Sequence, residues 1–150
     1  MIVAPSPGAA TWLVADVLEP DSACFGWRRR TLETLANGLA LLVLARAEEV
    51  PVRRLGLEAM CARVVHALSA KDALGRFSGL SRRPGFVRAL TSSLDELRLA
   101  GIGELGLQSH DPDMARILGA YVASLREAKL ADRARVLEAA TDRALGGGLA

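Results

Sequence analysis

The segment Asp111–Lys129, DPDMARILGAYVASLREAK, decides the fold class. Asp111 has the side chain of a helix N-cap, Pro112 suits the first helical position, and Asp113 puts an acid in the first turn. Met114, Ile117, Leu118, Tyr121, Val122 and Leu125 then recur at intervals of three and four. That period predicts an amphipathic helix to about Ala128. A second helix is expected over about Ala131–Leu145, ahead of Gly146-Gly147-Gly148.

The same reading extends upstream. Phe86, Leu90, Leu94 and Leu97 form one stripe of a helix over about Phe86–Ala100, which Gly101 and Gly103 stop. Leu57–Leu68 predicts another, with Met60, Cys61, Val64, Val65 and Leu68 toward the core. Phe77–Ser81 reads as a loop. Thr31 is placed to cap a strongly apolar helix running to about Ala47, with Leu32, Leu35, Leu39, Leu42 and Val43 along it; Pro51 closes that region. At the N-terminus, Met1–Ala4 reads as a strand entering the turn Pro5-Ser6-Pro7-Gly8. A helix follows over Ala9–Leu18, with Leu13, Val14, Val17 and Leu18 at helical spacing. Glu19-Pro20-Asp21-Ser22 breaks it, and Cys24–Arg28 is expected to form a second short strand.

The expected class is therefore mainly α, with one or two short N-terminal strands and five to six helices. Residues 1–30 supply strand, turn, helix and strand, and residues 31–145 the helical part of a single lobe. A short strand pair is marginal alone. The N-terminal strand is expected to belong to a sheet whose other strands lie elsewhere, in a partner or a downstream region.

Composition agrees. With 150 residues, 51% of them apolar, the chain can bury one real core and is not an intrinsically disordered sequence. Ala (26) and Leu (25) fill a third of it, while aromatics are 4%, which favours helices over a large sheet. The net charge of +2 is too mild to imply nucleic acid alone. Arg outnumbers Lys 17 to 2, a bias that GC-rich coding explains as readily as phosphate binding. Cys24 and Cys61 have neither metal-ligand spacing nor the density of a disulfide framework, and read as small buried hydrophobes in a reducing cytosol. The N-terminus lacks a basic leader region, and Leu39–Ala45 is far shorter than the ~20 residues of a membrane span. A cytoplasmic chain without a membrane role is expected.

The strand–turn–helix at Ile2–Leu18 is where a phosphate loop would lie. A working loop has glycines whose amides cradle phosphates, a Lys for the β/γ oxygens and a hydroxyl for Mg²⁺. Here Gly8, Ala9 and Ala10 occupy the Gly, Lys and Ser/Thr positions. Without the Lys, this stretch is either an ordinary βα turn or a degenerate nucleotide site. His66 and His110 stand alone, and the adjacent Asp95 and Glu96 face different ways on a helix. No catalytic motif, metal set or cofactor is expected. Two basic clusters remain: Arg28-Arg29-Arg30 and Arg82-Arg83. Each is a solvated turn or a sequence-independent grip on phosphates. Trp27 is either partly buried or a stacking surface.

The order of the segments is more specific than any one of them: WRRRTLETLANGLA (27–40), LGLEAMCARVVHAL (55–68), RPGFVRALTSSLDELRLAGI (83–102) and DPDMARILGAYVASLREAKLADRARVLEAA (111–140). In this order they resemble the N-terminal region of AddB-type helicase–nuclease subunits, of the UvrD-like helicase and PD-(D/E)XK nuclease kind, over about residues 2–145. The resemblance implies a helicase-like first lobe with a helical insertion, in a family that processes double-stranded DNA ends in recombinational repair by ATP-dependent helicase and exonuclease action. Its nuclease motif and iron–sulfur cysteines lie far downstream of the matched region. The missing Lys implies a scaffold or DNA-scanning half without catalysis. The expected partners are double-stranded DNA ends and a helicase–nuclease partner subunit, with Arg28, Arg29, Arg30, Arg82 and Arg83 as phosphate contacts. A different expectation is a small helical interaction or dimerisation module without DNA affinity.

Overall fold

The computed structural model describes residues 1–17 and 26–146. Its elements in chain order are β1 (Ile2–Ala4), α1 (Pro7–Val17), β2 (Arg29–Thr31), α2 (Leu32–Arg46), β3 (Val50–Pro51), α3 (Arg54–Ala70), a 3₁₀ segment Gly75–Leu80, α4 (Phe86–Leu99), α5 (Glu104–Leu107), α6 (Pro112–Glu127), β4 (Leu130–Ala131) and α7 (Arg133–Leu145). The fold is mainly α, as the helical periods dictate. The chain divides into two compact units, residues 1–43 with 137–150, and residues 44–136.

In the first unit, β1 and β2 lie side by side and parallel, in the register Ile2↔Arg29, Val3↔Arg30 and Ala4↔Thr31. Helix α1 packs on both strands. Ala4 and Ala10 are its buried positions, because a small side chain lets the helix approach the strand pair closely. Thr31 caps α2 reciprocally: its Oγ1 accepts from the Thr34 N–H at 3.1 Å, and Thr34 Oγ1 accepts from the Thr31 N–H at 2.8 Å. Ala36 and Ala40 are buried along α2, while Leu32, Leu41 and Leu42 are exposed.

In the second unit, α3 packs against α4 and α6, and α5 packs on α6. Their apolar stripes meet in one core of Leu57, Met60, Cys61, Val65, Leu74, Leu90, Leu94, Ile117, Leu118, Tyr121 and Leu125. Asp111 caps α6 as expected, its carboxylate accepting from the Met114 N–H at 3.1 Å. Strands β3 and β4 pair in parallel, Val50↔Leu130 and Pro51↔Ala131.

Several expectations are corrected. The second strand is Arg29–Thr31 rather than Cys24–Arg28; residues 26–28 are irregular, and Cys24 and Phe25 lie outside the described residues, as do Leu18 and the break at Glu19–Ser22. The segment Phe77–Ser81 is mostly 3₁₀ helix rather than open loop. Strands β3 and β4 and the single turn α5 were not expected, and the described residues hold seven α-helices rather than five or six. Of the expected tail, Gly147 and Gly148 lie outside the described residues.

Candidate nucleic-acid interface

Gly8, Ala9 and Ala10 fall in the first turn of α1. Ser6 is the cap: its Oγ accepts from the Ala9 N–H and its carbonyl from the Ala10 N–H, both at 3.1 Å. Only Pro5 and Ser6 separate β1 from α1. That joint is shorter than the glycine-rich loop that wraps a phosphate. Ala10 is buried against the unit's interior.

The triple arginine enters β2. Ile2 N–H donates to the Arg28 carbonyl at 2.8 Å, which places Arg28 just ahead of the strand. Arg29 turns toward α1, where its Nη1 donates to Thr11 Oγ1 at 2.9 Å. Thr11 is itself fixed by donating to the Pro7 carbonyl at 3.0 Å. Strand alternation sends Arg30 to the opposite face. The three arginines do not share one face. Trp27 beside them is exposed.

Arg82 and Arg83 belong to the second unit and lie on a hydrogen-bonded turn. Arg83 N–H donates to the Leu80 carbonyl at 2.9 Å, and Phe86 N–H to the Arg83 carbonyl at 3.2 Å. Gly85 takes φ 82°, a left-handed conformation that costs glycine little, and so swings the chain into α4. Phe86 anchors the turn from below: it is half-buried against the core, with its ring centroid 6.2 Å from that of Phe77. Arg82 and Arg83 point from this anchored turn into solvent, and Arg88, in the first turn of α4, is also exposed. None of these three has an ion-pair partner among the described residues. They also stand at the positive end of the α4 dipole, where each cation raises the local potential further. Sequence reasoning found Arg82 and Arg83 and missed Arg88, although it lies only five residues past Arg83.

The rest of the second unit holds little that is reactive. His66 is exposed, and His110 is an exposed residue whose ring nitrogen hydrogen-bonds Ser109 at 2.9 Å. Cys61 is buried beside Thr91, and burial pushes its thiol above the ordinary range, with the Glu58 carboxylate adding to the shift. Burial, then the Asp132 charge, likewise raises the Tyr121 phenol. A groove of about 420 Å³ is lined by Leu97, Leu107, Met114, Glu96 and Asp111. No group of metal-ligating side chains occurs among the described residues. No described helix is long and apolar enough to cross a membrane. No family model, curated protein or solved structure matches the chain.

Proposed function

We propose that this chain is a non-catalytic, helicase-like lobe of the AddB type, acting in the cytoplasm by holding DNA phosphates through the Arg82–Arg83 turn. One observation carries the reading: Arg82, Arg83 and Arg88 are exposed without counter-ions on a turn anchored by Phe86. Such guanidinia position a phosphate backbone without reading its sequence. Ala9 in place of the loop Lys removes phosphoryl transfer from the proposal. The partners on this reading are DNA ends and a helicase–nuclease partner subunit. The test is the salt dependence of DNA affinity. Replacing Arg82 and Arg83 by Ala should weaken binding and flatten the slope by up to ~2 units. An unchanged slope removes both residues from the interface.

A second reading is favoured by the first unit. Trp12 is 69% exposed, and Leu13, Val17, Leu32, Leu41 and Leu42 are exposed with it. So much open apolar surface suits a helical interaction or dimerisation module. Size-exclusion chromatography with light scattering separates the two. A salt-independent dimer without DNA affinity supports the module.

A further inference from the structure

Arg76 differs from the arginines of the neighbouring turn in one respect that sets its chemistry. Its guanidinium carbon lies over the Phe77 ring, 4.7 Å from the centroid, and Asp111 pairs with its Nη2. Its backbone is pinned as well, the Arg76 N–H donating to Asp113 Oδ2 at 3.0 Å. Yet 61% of the side chain stays open to solvent. Asp111 offsets the charge, so Arg76 is a poor hook for phosphate. What it presents is a flat, delocalised plane held against an aromatic ring. Phe77 in turn contacts Phe86, which follows directly on the Arg83-Pro84-Gly85 turn. The neutralised plane of Arg76 is thus linked to the arginine turn through the Phe77 and Phe86 rings.

We infer that Arg76 is a stacking platform for an unpaired nucleobase, and that the DNA taken by the arginine turn is single-stranded or frayed rather than fully paired. This rests on the reading that Arg82 and Arg83 bind DNA. Bases inside a duplex have no free face to offer, whereas every unpaired base can stack on an aromatic or guanidinium plane.

The experiment uses the full chain with two probes, a 20-nucleotide oligothymidine and a blunt 20-base-pair duplex. The expected result is tighter binding of the single strand by about tenfold, in line with one stacked base. Arg76→Lys retains the charge and the pairing with Asp111 but loses the plane. It should collapse the preference for the single strand, with an unchanged melting temperature confirming the fold. Equal affinity for the two probes, or a preference that survives Arg76→Lys, overturns the inference and leaves the DNA reading standing. Failure to bind either probe overturns both.

Discussion

The Arg98 guanidinium grips the buried carboxylate of Asp132 with two hydrogen bonds, from Nε at 2.9 Å and from Nη2 at 3.3 Å. Asp132 is 3% exposed, and the same carboxylate accepts from the Arg135 N–H at 2.8 Å, capping the start of α7. One acid thus fastens α4 to the chain leaving β4. Removing the guanidinium would strand a buried charge. Arg98→Ala should cost about 3 kcal/mol, read as a fall in the urea midpoint. A loss under about 0.5 kcal/mol would show that water replaces the partner at no penalty.

Leu118 is fully buried where α6 meets the core. Leu118→Ala removes three carbons and leaves a cavity, so a loss of about 2–5 kcal/mol is expected in chemical denaturation. Leu105 is 85% exposed, and Leu105→Ala should change stability by less than about 0.5 kcal/mol.

Two glycines should respond oppositely to alanine. Gly75 has φ 55°, and an added Cβ there would strike the Asp113 carboxylate that holds Arg76. Gly75→Ala should destabilise by about 1–2 kcal/mol. Gly119 sits inside α6 and would meet only the far end of the exposed Glu104 side chain, which can swing away. Helix propensity then favours Gly119→Ala by up to about 1 kcal/mol. Thermal melts of both variants check the contrast; a stabilised Gly75→Ala would mean that the turn relaxes.

Alkaline pH should unfold the second unit early. Burial raises the Cys61 thiol from 9.0 and the Tyr121 phenol from 10.0. The unfolded chain therefore gives up these protons first and binds fewer of them as pH rises. Stability from both groups is whole below the unfolded values and is lost as pH climbs past them. Urea midpoints should hold steady to about pH 8.5 and fall above it, with Tyr121→Phe removing part of the fall. A midpoint that ignores pH through this range would show that neither group ionises differently on unfolding.

The long helices were legible because their cores repeat with a regular period. Leu90 and Leu94, or Ile117, Leu118, Tyr121 and Leu125, fall on one face and meet in one core. The N-terminal helix obeyed a different constraint. Its apolar bulk, Trp12, Leu13 and Val17, faces outward, while Ala10 faces the strands. There the close approach to β1 and β2 selects by size, which hydropathy does not register. Strands of two residues carry no period at all: β3 and β4 exist because distant backbone meets, and only the folded core brings it together. In the candidate site, Arg82 and Arg83 were visible as a charge pair before Pro84-Gly85. Arg76 and Arg88 were not, since their meaning depends on what lies beside them: Phe77 and Asp111 for one, open solvent for the other.

The β3–β4 seam also has a kinetic meaning. Glu48 and Lys129, which pair across it, are 81 positions apart in the chain. Closing so long a loop on two residues of ladder returns little for the entropy it removes, so the seam has no means to nucleate. It can form only after the intervening helices have collapsed and delivered Val50 to Lys129, where their 2.8 Å hydrogen bond waits. The seam is then expected to assemble late, after the helices of the second unit. Amide exchange at Val50 and Val52, whose N–H groups donate across it, should be faster than at the centres of α3 and α6.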